Sequence, residues 1–244
     1  MFNRVSYVIG GRTILDELSF EVERGEALVL LGSSGSGKTT ALRLINRLLE
    51  PTSGMVAIDG KDVRQIDPIE LRRNTGYVIQ EFGLLPHWTV RRNVSLVPSL
   101  LGWPQDKQRQ RSEDLLEQVG LGQSGLAERK PHQLSGGQRQ RVAVARALAA
   151  EPSLLLFDEP FGALDPVTRH EMQQQFTKLR KQYNVAAVFV THDLLEALAI
   201  GTRIAILSSG KLEALVSPDE FWDVDTPVAR TFRETLPAGL RPVV

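Results

Sequence analysis

The stretch Ala27–Leu49, ALVLLGSSGSGKTTALRLINRLL, decides the fold. It opens with ALVLL, an unbroken apolar run, which is the pattern of a strand buried on both faces in a parallel sheet. From Thr40 onward its leucines and Ile45 recur at spacings of three and four, the period of a helix expected to run until Pro51 stops it. Between strand and helix stand only glycines, serines, a lysine and a threonine. Such a composition also suits a flexible surface linker, but a linker has no reason to join a buried strand to a helix.

Gly32, four residues, Gly37, Lys38 and Thr39 fit the spacing of a phosphate-binding loop. The main chain of Gly32, Ser33, Ser34, Gly35, Ser36 and Gly37 is free to curl its N–H groups around phosphate oxygens. The helix behind presents its positive end, with Thr40 in the first turn, to the same anion. Lys38 would reach the β- and γ-phosphates, and the Thr39 hydroxyl would ligate Mg²⁺.

Composition sets the bounds. The 244 residues carry equal numbers of acidic and basic side chains, so no basic field for nucleic acid exists at the level of the whole chain. The absence of cysteine excludes disulfides, thiolate metal sites and thiol catalysis. MFNRVSYVIGG has no basic head followed by an apolar run, so a signal peptide is not expected. No apolar run reaches ~18 residues, the length needed to span a bilayer. The expected location is the cytoplasm, with any membrane role exercised through a separate membrane partner.

The rest of the chain reads around that centre. Met1 to Glu26 mixes short apolar runs with turns at Gly10–Gly11 and Gly25, a hairpin or small meander. GMVAIDGKDV predicts another hairpin turning at Asp59–Gly60. Residues 85–150 become rich in Gln and Arg and are mostly helical. Strand signals return in SLLLF (153–157), AAVFV (186–190) and RIAIL (203–207), with helices between them. That alternation implies right-handed crossovers and a parallel sheet. The tail after Ser217 is punctuated by proline and predicts a short helix with a loose end.

Two further motifs carry chemistry. LLLFDEP delivers Asp158 and Glu159 to the C-terminal end of a buried strand, where ligands of α/β proteins bind. Asp158 would hold Mg²⁺ through water, and Glu159 would polarise an attacking water as a base. In LSGGQRQR, Ser135 is a good N-cap and Gly136–Gly137 expose the start of the following helix, a second end suited to an anion. By itself this is also how a well-capped helix with a solvated arginine face reads.

GSSGSGKTT, LSGGQRQR, LLLFDEP, ALD (163–165) and VTHD (190–193), in one chain, resemble the nucleotide-binding subunit of ABC transporters over about Val5 to Leu215. The resemblance implies an α/β fold. It has a P-loop NTPase (RecA-like) core with a mostly parallel sheet, an N-terminal antiparallel β part and an inserted helical subdomain. It implies one ATPase domain over 1–244, with a nucleotide-binding core at 1–84 and 151–216, a helical signature subdomain at 85–150 and a tail at 217–244. Two such subunits, alike or merely similar, would pack head to tail. The Lys38 loop of one and Ser135, Gly136, Gly137 and Gln138 of the other would then clamp one ATP. Gln80, in YVIQEFG, matches the glutamine loop that senses Mg²⁺ and the attacking water. His192 matches the switch histidine on the γ-phosphate, and Asp165 would cross the dimer interface. An aromatic residue usually stacks on adenine just before GGRT. Ile9 stands there in this chain, and Tyr7 shares its strand face if the strand is regular.

The segment Gln80–Pro104 carries apolar and aromatic residues costly at an aqueous surface. Phe82, Leu84, Leu85 and Trp88 read either as a groove for a transmembrane permease or as core of the helical subdomain. Its wording is similar to ATPases of bacterial importers for quaternary ammonium osmoprotectants such as glycine betaine, choline or carnitine. That likeness implies a peripheral protein on the cytoplasmic face of the membrane, served by a separate substrate-binding protein and not by nucleic acid. An importer for another small solute (amino acid, sulfonate), an exporter and a soluble non-transport ABC ATPase are the alternatives. Such importer ATPases often carry a C-terminal regulatory domain, for which a chain ending at Val244 is expected to have no room. A GTPase is disfavoured because no Asn-Lys-x-Asp guanine reader is present.

Overall fold

The computed structural model describes residues 1–80, 82–123 and 125–236. In chain order its strands are β1 (Phe2–Ile9), β2 (Arg12–Phe20), β3 (Ala27–Leu31), β4 (Ser53–Ile58), β5 (Lys61–Asp62), β6 (Thr75–Val78), β7 (Leu154–Asp158), β8 (Ala186–Thr191), β9 (Arg203–Ser208) and β10 (Lys211–Val216). Its α-helices are α1 (Lys38–Ile45), α2 (Pro68–Arg73), α3 (Val90–Val94), α4 (Leu96–Leu100), α5 (Gln105–Gln118), α6 (Gly136–Leu148), α7 (Pro166–Tyr183), α8 (Leu194–Ile200) and α9 (Pro227–Glu234). The chain divides into two compact units. One is Met1–Pro68 with the chain from Val188 onward, and the other is Ile69–Ala187.

In the first unit an antiparallel sheet runs β2-β1-β4-β5, the N-terminal β part expected above. Phe2 stands opposite Phe20, and their rings stack with centroids 4.5 Å apart. The β1–β2 ladder is interrupted by residues in the left-handed region, Arg4 at φ 43° and Glu17 at φ 49°. Their N–H groups leave the ladder and donate instead to the hydroxyls of Ser19 (2.8 Å) and Ser6 (3.0 Å). β4 and β5 pair antiparallel around Asp59–Gly60, as the sequence predicts.

The same unit holds β3, paired parallel with β9 and with β8 on its other side, while β10 returns antiparallel on β9. Every residue of β3 is buried, which is why its sequence shows no alternation. The strand β10 follows a turn at Ser209–Gly210 and escaped the sequence reading. The helix expected to continue towards Pro51 ends at Ile45 instead. Arg47 takes φ 53°, and the N–H groups of Leu48 and Leu49 both turn back to the Arg43 carbonyl. Buried Asn46 accepts the Leu48 N–H on its side chain. A left-handed residue with such return bonds is a helix stop that leucine periodicity cannot reveal.

The second unit pairs β6 and β7 parallel from Thr75 opposite Leu154 to Val78 opposite Phe157. Phe157 meets Phe176 of α7 edge to face, with centroids 5.0 Å apart. α6 packs on β6 and α7, and α3 and α5 pack on α6. The far end of α6 is held by Arg111 of α5, which donates to the carbonyls of Leu148 (2.9 Å) and Ala149 (3.3 Å). Arg141 of α6 donates to the Val119 carbonyl and to the side chains of Gln175 and Glu171 on α7. The long rod of α6 is therefore tied to both of its helical neighbours.

Candidate functional site

The phosphate-loop residues lie in the first unit, where β3 hands the chain to α1. Gly37 caps α1 at φ 99°, a conformation glycine adopts without cost. At Gly32 a Cβ would stand 2.4 Å from the Leu207 carbonyl oxygen and 2.6 Å from Ser36 Oγ, so the loop closes on β9 only because this side chain is absent. The loop is braced from β10's turn, since Gly210 donates its N–H to the Ser36 carbonyl. Lys38 is buried, and its ammonium folds back to donate to the carbonyls of Gly32 (2.7 Å) and Ser33 (2.8 Å). Thr39 and Thr40 follow in the first turn, and no side chain caps this end of α1 and no acidic residue lies in its first turn. The end keeps its full positive character. A concave run of main chain, a lysine at its rim and an uncapped helix start fit a phosphate group, and they fit it better than any cation.

Tyr7 is half-buried and Ile9 is 58% exposed. The ladder shifts register between Tyr7 and Val8, so the regular strand that the shared face required is not formed there. His192 is exposed just after β8. Its neighbour Asp193 is taken up as the N-cap of α8, accepting the N–H groups of Leu195 (2.8 Å) and Glu196 (3.3 Å). Thr191 fixes that turn by donating to Glu196 at 2.7 Å and accepting the Asp193 N–H.

The remaining candidates lie in the second unit. β7 delivers Asp158 at its last position, where the Tyr77 hydroxyl approaches at 3.5 Å. Glu159 follows at φ 46°. Gln80 donates its side-chain amide to Glu159 at 3.4 Å, so glutamine loop and proposed base meet directly. Gln80 itself sits in a turn closed by the Phe82 N–H on the Ile79 carbonyl. Ser135 caps α6. Its hydroxyl accepts the Gln138 N–H at 3.2 Å, and the Gln138 side chain accepts the Ser135 N–H at 3.0 Å, a reciprocal box. Gly136 faces open space, whereas a Cβ on Gly137 would press within 2.5 Å of the Thr168 methyl. Asp165 caps α7 by accepting from the N–H groups of Val167 and Thr168. The Thr168 hydroxyl, and then its N–H, hold this carboxyl below the ordinary aspartate range.

Some determinants left no sequence motif. Asn93 is wholly buried and pins the Leu85–Thr89 stretch, accepting the Leu85 N–H at 2.7 Å and donating to the carbonyls of Leu85 and Thr89. Leu85 is 36% exposed, and Trp88 carries the Arg92 guanidinium 4.0 Å above its ring. Phe82 and Leu84 are half-buried. Arg146 of α6 reaches the carbonyls of Phe82 and Gly83, and burial pulls its guanidinium below the ordinary arginine range.

A model of the ABC transporter family matches residues 15–162. The glycine betaine/carnitine/choline transport ATP-binding protein OpuCA of Bacillus subtilis (strain 168) is 50% identical over 211 residues, 86% of this chain and 55% of that protein. The glycine betaine uptake system ATP-binding protein YehX of Escherichia coli (strain K12) is 46% identical over 211 residues, 86% of this chain and 68% of its own length. The chain thus spans about half the length of the first of these relatives. Among solved structures, an ATP-binding cassette captured as a post-hydrolysis dimer with ADP and Pi superimposes with a TM-score of 0.78 at 36% identity. That match covers 89% of this chain and 97% of the other.

Proposed function

We propose that this chain, which belongs to the ABC transporter family, is the ATP-hydrolysing subunit of an importer for quaternary ammonium osmoprotectants of the glycine betaine, choline or carnitine type. The observation that carries the ATPase reading is the Lys38 ammonium resting on the Gly32 and Ser33 carbonyls before an uncapped helix. An ammonium so placed exchanges two carbonyls for phosphate oxygens with a short swing, and the N–H groups of the loop supply the rest of the cradle. The substrate class is supported by relatives whose names specify glycine betaine, choline and carnitine transport.

The residues divide the work. Residues 32–40 bind the phosphates. Glu159, oriented by the Gln80 amide, accepts the proton of the attacking water. His192 steadies the γ-phosphate, and Tyr7 or Ile9 contacts the base. Mg²⁺, held by Thr39, Asp158 and Gln80, would neutralise charge on the β- and γ-phosphates. The Ser135 hydroxyl accepts from Gln138 and so keeps its own proton to donate to an anion across a head-to-tail dimer. Asp165 lies at that same interface. Among the described residues no helix is long and apolar enough to cross a membrane. In this proposal the chain works peripherally, on the cytoplasmic face, against a permease that docks on the 80–104 segment and receives cargo from a separate substrate-binding protein, as relatives named as transport ATP-binding proteins suggest.

The test is a pull-down. Tagged Glu159→Gln, trapped with ATP and gently solubilised from membranes, should bring a multi-span permease with it. That permease should transport glycine betaine, choline or carnitine in vesicles. A permease that moves another solute overturns the substrate class. Ribosomal or DNA-repair proteins without a membrane protein overturn the transport role and leave the ATPase.

A further inference from the structure

The turn that carries Gln80 is held from outside, through the residues that follow it. The Ile79–Phe82 turn closes through one main-chain hydrogen bond of 3.1 Å and then passes through two successive left-handed residues, Phe82 at φ 62° and Gly83 at φ 57°. For phenylalanine that conformation is strained, so something outside the turn must hold it. Both carbonyls that the strained residues present are taken by one side chain: Arg146 donates from Nη2 to Phe82 (2.9 Å) and from Nη1 to Gly83 (2.5 Å). One turn-pair earlier on α6, the Arg139 guanidinium lies 5.2 Å from the Phe82 ring. Among the described residues the partners of this largely buried guanidinium are carbonyls, where a carboxylate is the ordinary match. The carbonyl pairing makes sense if the fork's geometry, rather than neutralisation, is what the site uses.

We propose that Arg146 is a positioning residue for ATP hydrolysis, locking the Phe82–Gly83 turn so that Gln80 stays on Glu159 and follows the movement of α6. α6 begins at the Ser135–Gly137 cap, so whatever seats on that cap moves the arginine fork. The fork then moves the turn behind the glutamine. The inference rests on the ATPase reading above, and it adds a main-chain link between two motifs beside the contact of Arg139 with the Phe82 ring.

Arg146→Lys tests it, because lysine keeps the charge and loses the two-pronged fork. In the full chain assembled with its permease, kcat should fall about 10- to 100-fold, the scale of a misplaced reacting group, while KM for ATP stays within about twofold. In a Gln80→Ala background the same change should cost less than about twofold, because its route is already cut. Hydrogen exchange of the amides at 82–85 should quicken by about tenfold or more, with α6 unchanged. Gly83→Ala is the second variant, in case Arg146→Lys does not fold. Its Cβ would stand 2.7 Å from Ile79 Cδ1 and 3.4 Å from Arg146 Nη2, at a left-handed φ of 57°, and so strain the turn while leaving the arginine's chemistry unchanged. It should give the same kcat loss and the same silence in the Gln80→Ala background. Full additivity with Gln80→Ala, or unchanged exchange at 82–85, overturns the proposal. Absence of ATP hydrolysis by the unmutated assembly overturns the functional reading instead, and the exchange measurement still decides whether Arg146 holds the turn.

Discussion

α1 begins at Lys38 behind Gly37, which has no side chain to cap it, whereas α6 begins at Gly136 behind Ser135, whose hydroxyl and Gln138 partner close a complete box. The first start leaves its positive end to be completed by a ligand. The second has the Gln138 and Ser135 N–H groups met within the chain, and offers an anion what the box leaves over: one hydroxyl proton, the first-turn N–H groups that the box does not reach and a glycine face without side chains. Under the proposed function, affinity belongs to the Lys38 loop, and the Ser135 loop would add recognition of a ligand that another loop already holds. That division suits a nucleotide shared by two copies.

Removing the lysine breaks the first half of the comparison and carries the largest effect. Lys38→Ala should weaken ATP binding by on the order of 100-fold or more, since hydrogen bonds to charged groups contribute about 1.5–3 kcal/mol each. Titration of a fluorescent ATP analogue checks it, with circular dichroism as the control for folding. Near-native affinity would mean that the loop's carbonyls, and not phosphate, are the proper partners of this ammonium.

The second half is sharpened by the paired glycines. Gly136→Ala places its methyl in open space, whereas Gly137→Ala drives one to 2.5 Å from the Thr168 methyl. Gly137→Ala should cost about 1–3 kcal/mol of stability, the range for overpacking, with Gly136→Ala near neutral. Both should impair ATP-dependent dimer formation if the glycine face receives nucleotide. Urea unfolding separates the first effect, and light scattering with ATP on a Glu159→Gln background reads the second. Equal stability of the two variants would show that Thr168 swings away at no cost.

How much of this was legible in the sequence follows from how local each determinant is. β3 announced itself because burial on both faces removes alternation, and the phosphate loop because its chemistry needs particular residues at fixed offsets. The stop of α1 at Ile45 was hidden, because it depends on Arg47 entering a left-handed conformation that any arginine in a helical pattern conceals. The bulges at Arg4 and Glu17 were equally silent: the hydroxyls that satisfy them lie 15 and 11 residues away in the chain. Asn93 and Arg146 escaped for the same reason. Each looks like an ordinary polar residue of a helix, and acts on main-chain atoms distant in sequence.

A third helix start extends the comparison and carries the smallest effect. α7 is capped by a carboxylate, Asp165, which serves both as acceptor for two N–H groups and as negative charge at a positive end. The Thr168 hydroxyl, its N–H and that of Val167 all favour the ionised form, so the folded pKa lies below the unfolded one. The sign follows: the cap's contribution is fully present above the ordinary aspartate value of about 3.9 and is lost as pH falls through the lower, folded value. Asp165→Asn keeps an acceptor oxygen and removes the charge. Its thermal midpoint should lie slightly below that of the unmutated chain at neutral pH and converge with it as acid protonates the folded carboxyl, below the ordinary aspartate range. A parallel offset at every pH would show that the cap acts through hydrogen-bond geometry alone. In that case this third helix start would be capped as that of α6 is, by local bonds from an uncharged cap.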